Sequence, residues 1–391
     1  MIIKSVDAKK IKDSRQDETI SVNIKTDVGA FSASAPNGKS KGKYEKKPYK
    51  KSIDKDIETI KKFKEYFSEE HIDKFEDLRR IEDIIKSEVG ANTLVALEFA
   101  ALKAMAKEQK KEIWELIRDS TKIKKQKFPR LVGNSIGGGL HSQEVNKKKP
   151  DFQEFLLIPK SHSPFEAYEK NKNAKEDLQI LLKQKDEFFK SEKNDENAWR
   201  SSLNDKEVLE ILITQKIPIG LDVAASSFYG RKKYRYNNPK LDRTIDEQRV
   251  YLSNIIKNFG IFYIEDPFEE NDFESFSELL KKFPDRLIVG DDLTVTNKKR
   301  LEKAIEMKSI NAMIIKPNQN GSLIELKEVC EIAKKNNIKT VFSHRSGETN
   351  ESILADLAVG FGADFIKCGI TGKEREVKIK RLIEIEKSLT K

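Results

Sequence analysis

The 391-residue chain is short of the residues that staple small folds or hold zinc: it has two cysteines, Cys330 and Cys368, and four histidines. Two thiols cannot form a disulfide framework or a zinc centre, and their context suits a reducing cytosol. Long apolar runs are also missing. No stretch approaches the roughly eighteen residues of a membrane helix, and the opening MIIKSVDAKK lacks the apolar segment of a secretory leader. Collagenous, membrane and secreted mini-protein classes are thereby excluded. Nor does one sign of charge dominate. Lys+Arg at 75 against Asp+Glu at 65 gives a formal net charge of +10, with both signs interspersed. That describes a dense polyampholyte surface, which permits nucleic-acid binding without indicating it. What is present, 37% hydrophobic and 36% charged residues, is enough for a globular core and a very soluble surface. The length predicts two or three domains.

The first third reads as sheet followed by helices. Ile20, Val22 and Ile24 alternate with polar residues, Asp27-Val28-Gly29 supplies a turn, and Ala30 to Ala35 returns as a second strand. The segment PNGKSKG, 36–42, has no periodicity and reads as a mobile loop. From Ser52, a potential N-cap, Ile53, Ile57, Ile60, Phe63 and Phe67 recur at helical spacing. ANTLVALEFAALKAMA, 91–106, predicts a largely buried helix containing Phe99, and Trp114 fits helix packing. Lysine-rich 119–127 marks a candidate domain boundary, between an N-terminal part, 1–120, and a C-terminal part, 128–391.

Beyond it, short β-branched runs alternate with helical patterns: QEFLLIP, IPIGLDVAAS, IFYIEDP, RLIVGDD, NAMIIKP, KTVFSH and DFIKCG. Repeated βα units predict a parallel sheet. The last six runs end in Asp222, Glu265, Asp291, Lys316, His344 and Lys367, separated by 23 to 43 residues. That rhythm suits a (β/α)8 barrel of about 30 residues per unit, with its chemistry at the C-terminal strand ends. An open doubly wound sheet is the rival, but no glycine-rich nucleotide fingerprint follows any strand.

Asp222, Glu265 and Asp291 in one barrel mouth would repel as three uncompensated charges, and all-oxygen ligation favours Mg²⁺ over zinc. Any one acid alone could equally cap a helix or pair with a surface lysine. Lys316 and Lys367 follow. Beside a dication and another cation, a lysine is pushed toward the neutral amine that can take a proton, and the alternative is a permanent ion pair with the acids. His71 and His162 read as surface residues, and Cys368 as a packed thiol without a partner base.

Six segments carry a family resemblance: SHRSGET (343–349), IEDPFEENDF (264–273), VGDDLTVTN (289–297), LDVAAS (221–226), IIKPNQNGS (314–322) and DFQEFLLIP (151–159). With IKDSR near the start and VGANTLVALEFA in the cap helix, they are similar, in family order, to the signatures of enolase, phosphopyruvate hydratase. The resemblance implies an α+β cap on a TIM-like barrel whose first units depart from the regular repeat. It implies dehydration of 2-phosphoglycerate to phosphoenolpyruvate. It makes Asp222, Glu265 and Asp291 ligands of Mg²⁺, with Glu265 and Asp291 also facing substrate. Lys316 becomes the base, Lys367 the substrate-carboxylate contact, and Glu196, in NDENAW, the acid, kept protonated by neighbouring Glu154 or by burial. Arg345 and Ser346 resemble the phosphate pair. His141, Gln153, Glu154 and His344 fall on substrate-contacting positions, and Ser40 on the loop ligand of a second Mg²⁺. A cytoplasmic homo-oligomer, dimer or higher, is implied, with no membrane partner. Rivals are a dehydratase or cycloisomerase acting on another acid, and a non-catalytic polyanion-binding relative.

The chain departs from the pattern in places. Lys39 and Lys41 flank Ser40 where the family has small residues, and both are expected to be solvated. SIGGGLHS lacks an asparagine, and the stretch from His141 to Gln153 is long. Asn197 and Ala198 replace a glycine pair, which requires Asn197 to adopt a left-handed conformation. Ser227 stands in place of an acid, and Gln16, Asp17 and Glu18 replace a Gly-Asn-Pro turn.

Overall fold

A computed structural model describes residues 1–39, 42–68, 70–123, 128–142 and 148–389; Ser40 and Lys41 lie outside them. Alternation of Ile20, Val22 and Ile24 produces the expected hairpin, β2 (Glu18–Thr26) with β3 (Gly29–Ser34). A further strand, β1 (Ile3–Lys12), pairs antiparallel with β2. Helix α1 (Ile53–Phe63) starts at Ser52, whose side chain accepts from the Lys55 amide as an N-cap should. It ends before Phe67, which is nevertheless fully buried. After α2 (Leu78–Ile85), helix α3 (Ala91–Gln109) buries almost every side chain, Phe99 among them, and α4 (Ile113–Asp119) buries Trp114. All-round burial explains why α3 reads as alanine and leucine with little amphipathicity.

The barrel strands are β4 (Arg130–Gly137) and β5 (Glu154–Leu157), with short β6 (Trp199–Arg200) on the far side of β4, then β7 (Ile219–Asp222). An external ribbon, β8 (Tyr229–Gly230), β9 (Lys233–Asn237) and β10 (Lys240–Arg243), interrupts the repeat. The series resumes with β11 (Tyr263–Glu265), β12 (Leu287–Gly290), β13 (Ala312–Ile315), β14 (Lys339–Ser343) and β15 (Phe365–Gly369). Pairing of Phe365–Gly369 with Arg130–Asn134 closes an eight-stranded barrel.

One expectation is corrected: β5, the QEFLLIP run, is antiparallel to both β4 and β7. A parallel neighbour needs a crossover, usually helical, and only a short 3-10 turn (Gly139–Ser142) is found among the described residues between β4 and β5. The strand β4, with glycines at 133 and 137 and no alternation because every residue after Arg130 is buried, is not visible as a strand in the sequence.

Val132, Leu156, Ile158, Tyr263, Val289, Ala312, Ile314, Val341 and Phe365 fill the barrel interior. Side chains alternate along a strand, so the residue two positions onward also points inward, one layer nearer the mouth. Tyr263 thus leads to Glu265, Val289 to Asp291, Ile314 to Lys316 and Phe365 to Lys367. Because β5 runs backwards, Glu154 reaches the same mouth from its N-terminal end. The cap covers that mouth: Asn318 Nδ2 donates to Pro36 O and to Asn92 Oδ1, both at 2.9 Å, and the Ser34 hydroxyl donates to Thr349 at 2.8 Å.

Candidate active site

A narrow cleft at this mouth is lined by Gly38, His141, Gln153, Glu154, Glu196, Asp222, Lys316, Ser343, His344, Arg345, Ser346 and Lys367. Glu265 and Asp291 reach it through the lysines. All the sequence-predicted site residues therefore come together except Ser40, which lies outside the described residues.

The acids are not uncompensated. The Lys367 ammonium donates to Asp222 at 2.9 Å and to both oxygens of Glu265 at 2.8 and 2.9 Å, and lies 3.1 Å from Glu154. Burial works against this cation, but Asp222, Glu154 and Glu265 outweigh it and hold its pKa well above the lysine range. Burial and Asp222 push the Glu265 carboxyl up to about 8. Its second oxygen also accepts from the Tyr263 hydroxyl at 2.6 Å. Asp291 is turned away, bonded to Lys316 and accepting from Gln319 Nε2 at 2.9 Å. Burial disfavours the Lys316 ammonium, yet Asp291 raises its pKa overall. Of the two sequence readings, base or ion pair, the geometry without a dication gives the ion pair, because the carboxylate of Asp291 touches Lys316 directly.

Across the cleft, His141 Nδ1 lies 3.5 Å from Glu154 and 3.6 Å from Glu196, and His344 Nε2 lies 3.3 Å from Glu196. Two buried carboxylates so placed share a proton in preference to both ionising. Burial and Glu196 lift the Glu154 carboxyl well above its usual range. Burial would lift Glu196 too, but His344 and His141 pull it well below. The imidazoles cluster on Glu196, which favours the shared proton on Glu154, whereas the sequence reading gives it to Glu196. Asn134 Nδ2 also donates to Glu196 at 3.0 Å, a partner that sequence reading missed because β4 itself was missed. His141 Nδ1, both His344 nitrogens and Gln153 Oε1 are buried without hydrogen-bond partners. Unpartnered buried polar atoms gathered in one cleft mark a place shaped for a polar ligand.

The third wall is cationic. Arg345 Nη2 faces Glu45 at 3.0 and 3.2 Å, and Nη1 donates to Asn318 at 3.0 Å. The Ser346 hydroxyl accepts from the Lys39 amide at 2.9 Å and from Arg15 at 3.1 Å. IKDSR was the signal for Arg15; nothing in the sequence pointed to Glu45. The Lys39 ammonium pairs with Asp195 at 2.8 Å. It was expected to be solvated, but the adjoining acidic turn is within its reach. Gly38 packs so closely on the guanidinium that a Cβ would lie 1.9 Å from Arg345 Nη2.

Three side chains are placed as the sequence suggested, outside the chemistry. His71 and His162 are exposed. Burial pushes the Cys368 thiol up to about 12, which leaves it inert.

A β/α barrel whose mouth sets an ammonium-bound carboxylate cluster against a second pair of buried carboxyls defines a scaffold for acid–base chemistry. The pattern of the enolase C-terminal TIM barrel domain matches residues 125–391, and that of the enolase N-terminal domain matches residues 3–117. The enolase of Methanosphaera stadtmanae is 37% identical, covering 99% of this chain and 97% of its own. Those of Archaeoglobus fulgidus and Natronomonas pharaonis are 34% and 35% identical, covering 100% and 98% of this chain. The chain belongs to the enolase family. Its activity is that of a phosphopyruvate hydratase, a carbon–oxygen lyase interconverting 2-phosphoglycerate with phosphoenolpyruvate and water. Among the described residues no helix is long and apolar enough to cross a membrane.

Proposed function

We propose that this cleft performs the lyase reaction with Lys316 as base, Glu196 and Glu154 as the acid pair, and Mg²⁺ on Asp222, Glu265 and Asp291. The observation that carries the reading is the convergence of Lys316, Lys367, Asp222, Glu154, Glu196 and Arg345 on one cleft, with Glu265 and Asp291 joined to it through the two lysines. The donor set fits a hard dication: it is all carboxylate oxygen, buried, without sulfur or imidazole. When bound, Mg²⁺ supplies positive charge where the carboxylate of the deprotonated substrate accumulates negative charge.

The residues do the rest. Arg345 and Ser346 hold the phosphate, a guanidinium edge suiting a phosphate monoester. Lys367 neutralises the substrate carboxylate, and His141, Gln153 and His344 offer their unpartnered atoms to the remaining oxygens. Lys316 removes the C2 proton, which requires its neutral form. Asp291 is what holds it charged, and if Asp291 held Mg²⁺ instead, the ion pair that favours the ammonium would be weakened. The carboxyl pair then delivers its proton to the departing C3 hydroxyl through Glu196, which Asn134 Nδ2 holds by a hydrogen bond. A resemblance-based second Mg²⁺ would use Ser40. The same reading keeps a cap over 1–120, a barrel over 128–391, and a cytoplasmic homo-oligomer.

Turnover of 2-phosphoglycerate, followed as phosphoenolpyruvate absorbance with Mg²⁺ and again with excess chelator, tests the reading. Activity that is absent with Mg²⁺, or indifferent to the chelator, overturns it.

A further inference from the structure

The turn bearing Glu196 replaces a flexible glycine pair with Asn197 and Ala198, and Asn197 does take a left-handed conformation, φ +62. The Asn194 side chain ties the turn internally, accepting from the Glu196 and Ala198 amides at 3.0 Å each. Two buried cations grip it from outside. Arg375, fully buried, donates to the Asp195 carbonyl at 3.0 Å. Lys175, 2% exposed on the helix Pro164–Lys185, donates to the Asn197 carbonyl and to the Thr371 hydroxyl, the latter at 2.5 Å. Glu196 therefore sits between two carbonyls, each held by a buried cation.

Lys175 is a costly choice for packing alone. Among the described residues no carboxylate oxygen lies within ion-pair distance of its ammonium, which rests 5.5 Å from the Trp199 ring while Trp199 Nε1 donates to the Lys175 carbonyl at 2.8 Å. Burial draws its pKa down to about 7. An apolar side chain would fill this space without a desolvation penalty; what the lysine adds is its donors. Those donors bind the turn to the segment after β15, where the fit is close: a Cβ at Gly372 would lie 2.3 Å from Asn197 Nδ2, and one at Gly369 would lie 2.5 Å from the Glu196 carbonyl.

We propose that Lys175 is a positioning residue for the dehydration step, clamping the Asn197 carbonyl to Thr371 and so fixing Glu196 against the leaving hydroxyl. The inference rests on Glu196 as the acid and adds the device that holds it. Lys175 touches neither substrate nor reacting atoms.

The test uses the full chain with Mg²⁺ and 2-phosphoglycerate. Lys175→Met is expected to keep KM within about twofold and the melting temperature at or above that of the parent, while kcat falls at least about tenfold. Exchange of the C2 proton with solvent deuterium continues, because Lys316 is untouched. The double variant with Glu196→Gln is expected to be no slower than Glu196→Gln alone, since Lys175 acts through that carboxyl. An unchanged kcat in Lys175→Met, an equal loss of exchange, or additive losses in the double variant each overturn the proposal. If Lys175→Met does not fold, Lys175→Ala with added ethylammonium replaces it: saturable recovery of kcat supports the clamp and no recovery rejects it. Glu196→Gln by itself separates the two layers. If it loses exchange together with dehydration, the assignment of the acid fails, whatever Lys175 does.

Discussion

The two halves of the cleft are built differently. Asp222, Glu265, Asp291 and Lys316 sit at or one residue beyond the ends of parallel strands and Lys367 lies within the last one, where alternation aims them inward. The acid half, His141 and Glu154 to Glu196, hangs on a reversed strand, a 3-10 turn and a loop gripped by Lys39, Lys175 and Arg375. Strand-end chemistry tolerates change elsewhere because the sheet carries its geometry. Loop-borne chemistry has to be held by side chains particular to this sequence. The halves should therefore break in different ways.

The largest effects separate the chemistry. Lys316→Ala is expected to lower kcat by about 10³ to 10⁴ and stop exchange of the C2 proton, whereas Glu196→Gln costs about 10² and leaves exchange running. Measuring both rates in both variants checks this. Matching loss of exchange would erase the distinction between a proton-removing half and a hydroxyl-expelling half.

Next comes the charge cluster. Lys367→Met leaves Asp222, Glu265 and Glu154 without their shared cation, and removing one partner of a buried ionic network costs about 3 to 5 kcal/mol. Mg²⁺ at a hundredfold excess over its Kd should restore about 2.7 kcal/mol by mass action. Denaturant melts of the parent and the variant, with and without Mg²⁺, measure this. The cluster was first read as three bare acids demanding a metal; the lysine among them makes the parent less dependent on Mg²⁺ for stability than the variant. Equal Mg²⁺ gains in both proteins would contradict that.

How much of this was legible follows the same division. IFYIEDP, RLIVGDD, NAMIIKP and DFIKCG announced strands, and the titratable residue after each apolar run announced the mouth, because alternation and burial are local rules. The strand β4 was not announced, since full burial removes alternation and its glycines resemble a turn; with it went Asn134, the neighbour of Glu196. The direction of β5 could not be read either, because an apolar run looks the same from both ends. Proton ownership in the Glu154–Glu196 pair depends on which carboxylate two distant histidines approach, and Glu45 meets Arg345 across 300 positions of chain. Such contacts are properties of the closed barrel and its cap, with no trace in local pattern.

A smaller effect is a pH dependence on the acid side. Burial draws the His344 pKa down to about 4, against an opposing pull from Glu196. The unfolded chain binds this proton near pH 6.5 while the folded chain refuses it until about 4, so this contribution to stability is complete above 6.5 and lost as pH falls toward 4. It amounts to about 3 kcal/mol over that window. His344→Gln should flatten the corresponding slope in chemical denaturation between pH 6.5 and 4, while an unchanged slope would place the titration elsewhere.

The smallest expected effect concerns the cap loop. Lys39 is a third exposed and its partner Asp195 a quarter exposed, so their ion pair works in a largely aqueous dielectric. Lys39→Ala should lower stability by about 0.2 to 1 kcal/mol and lose that difference in about 1 M salt, where the screening length falls to about 3 Å. The Lys39 amide bond to Ser346 belongs to the backbone and survives the substitution, so KM should move by less than about twofold. If instead KM and the Mg²⁺ requirement both rise several-fold, with the rise vanishing in high salt, Lys39 is acting as a cation toward the substrate. The acid half would then reach further into phosphate binding than the walls of the cleft, and the contrast between its two halves would have to be redrawn along charge instead of secondary structure.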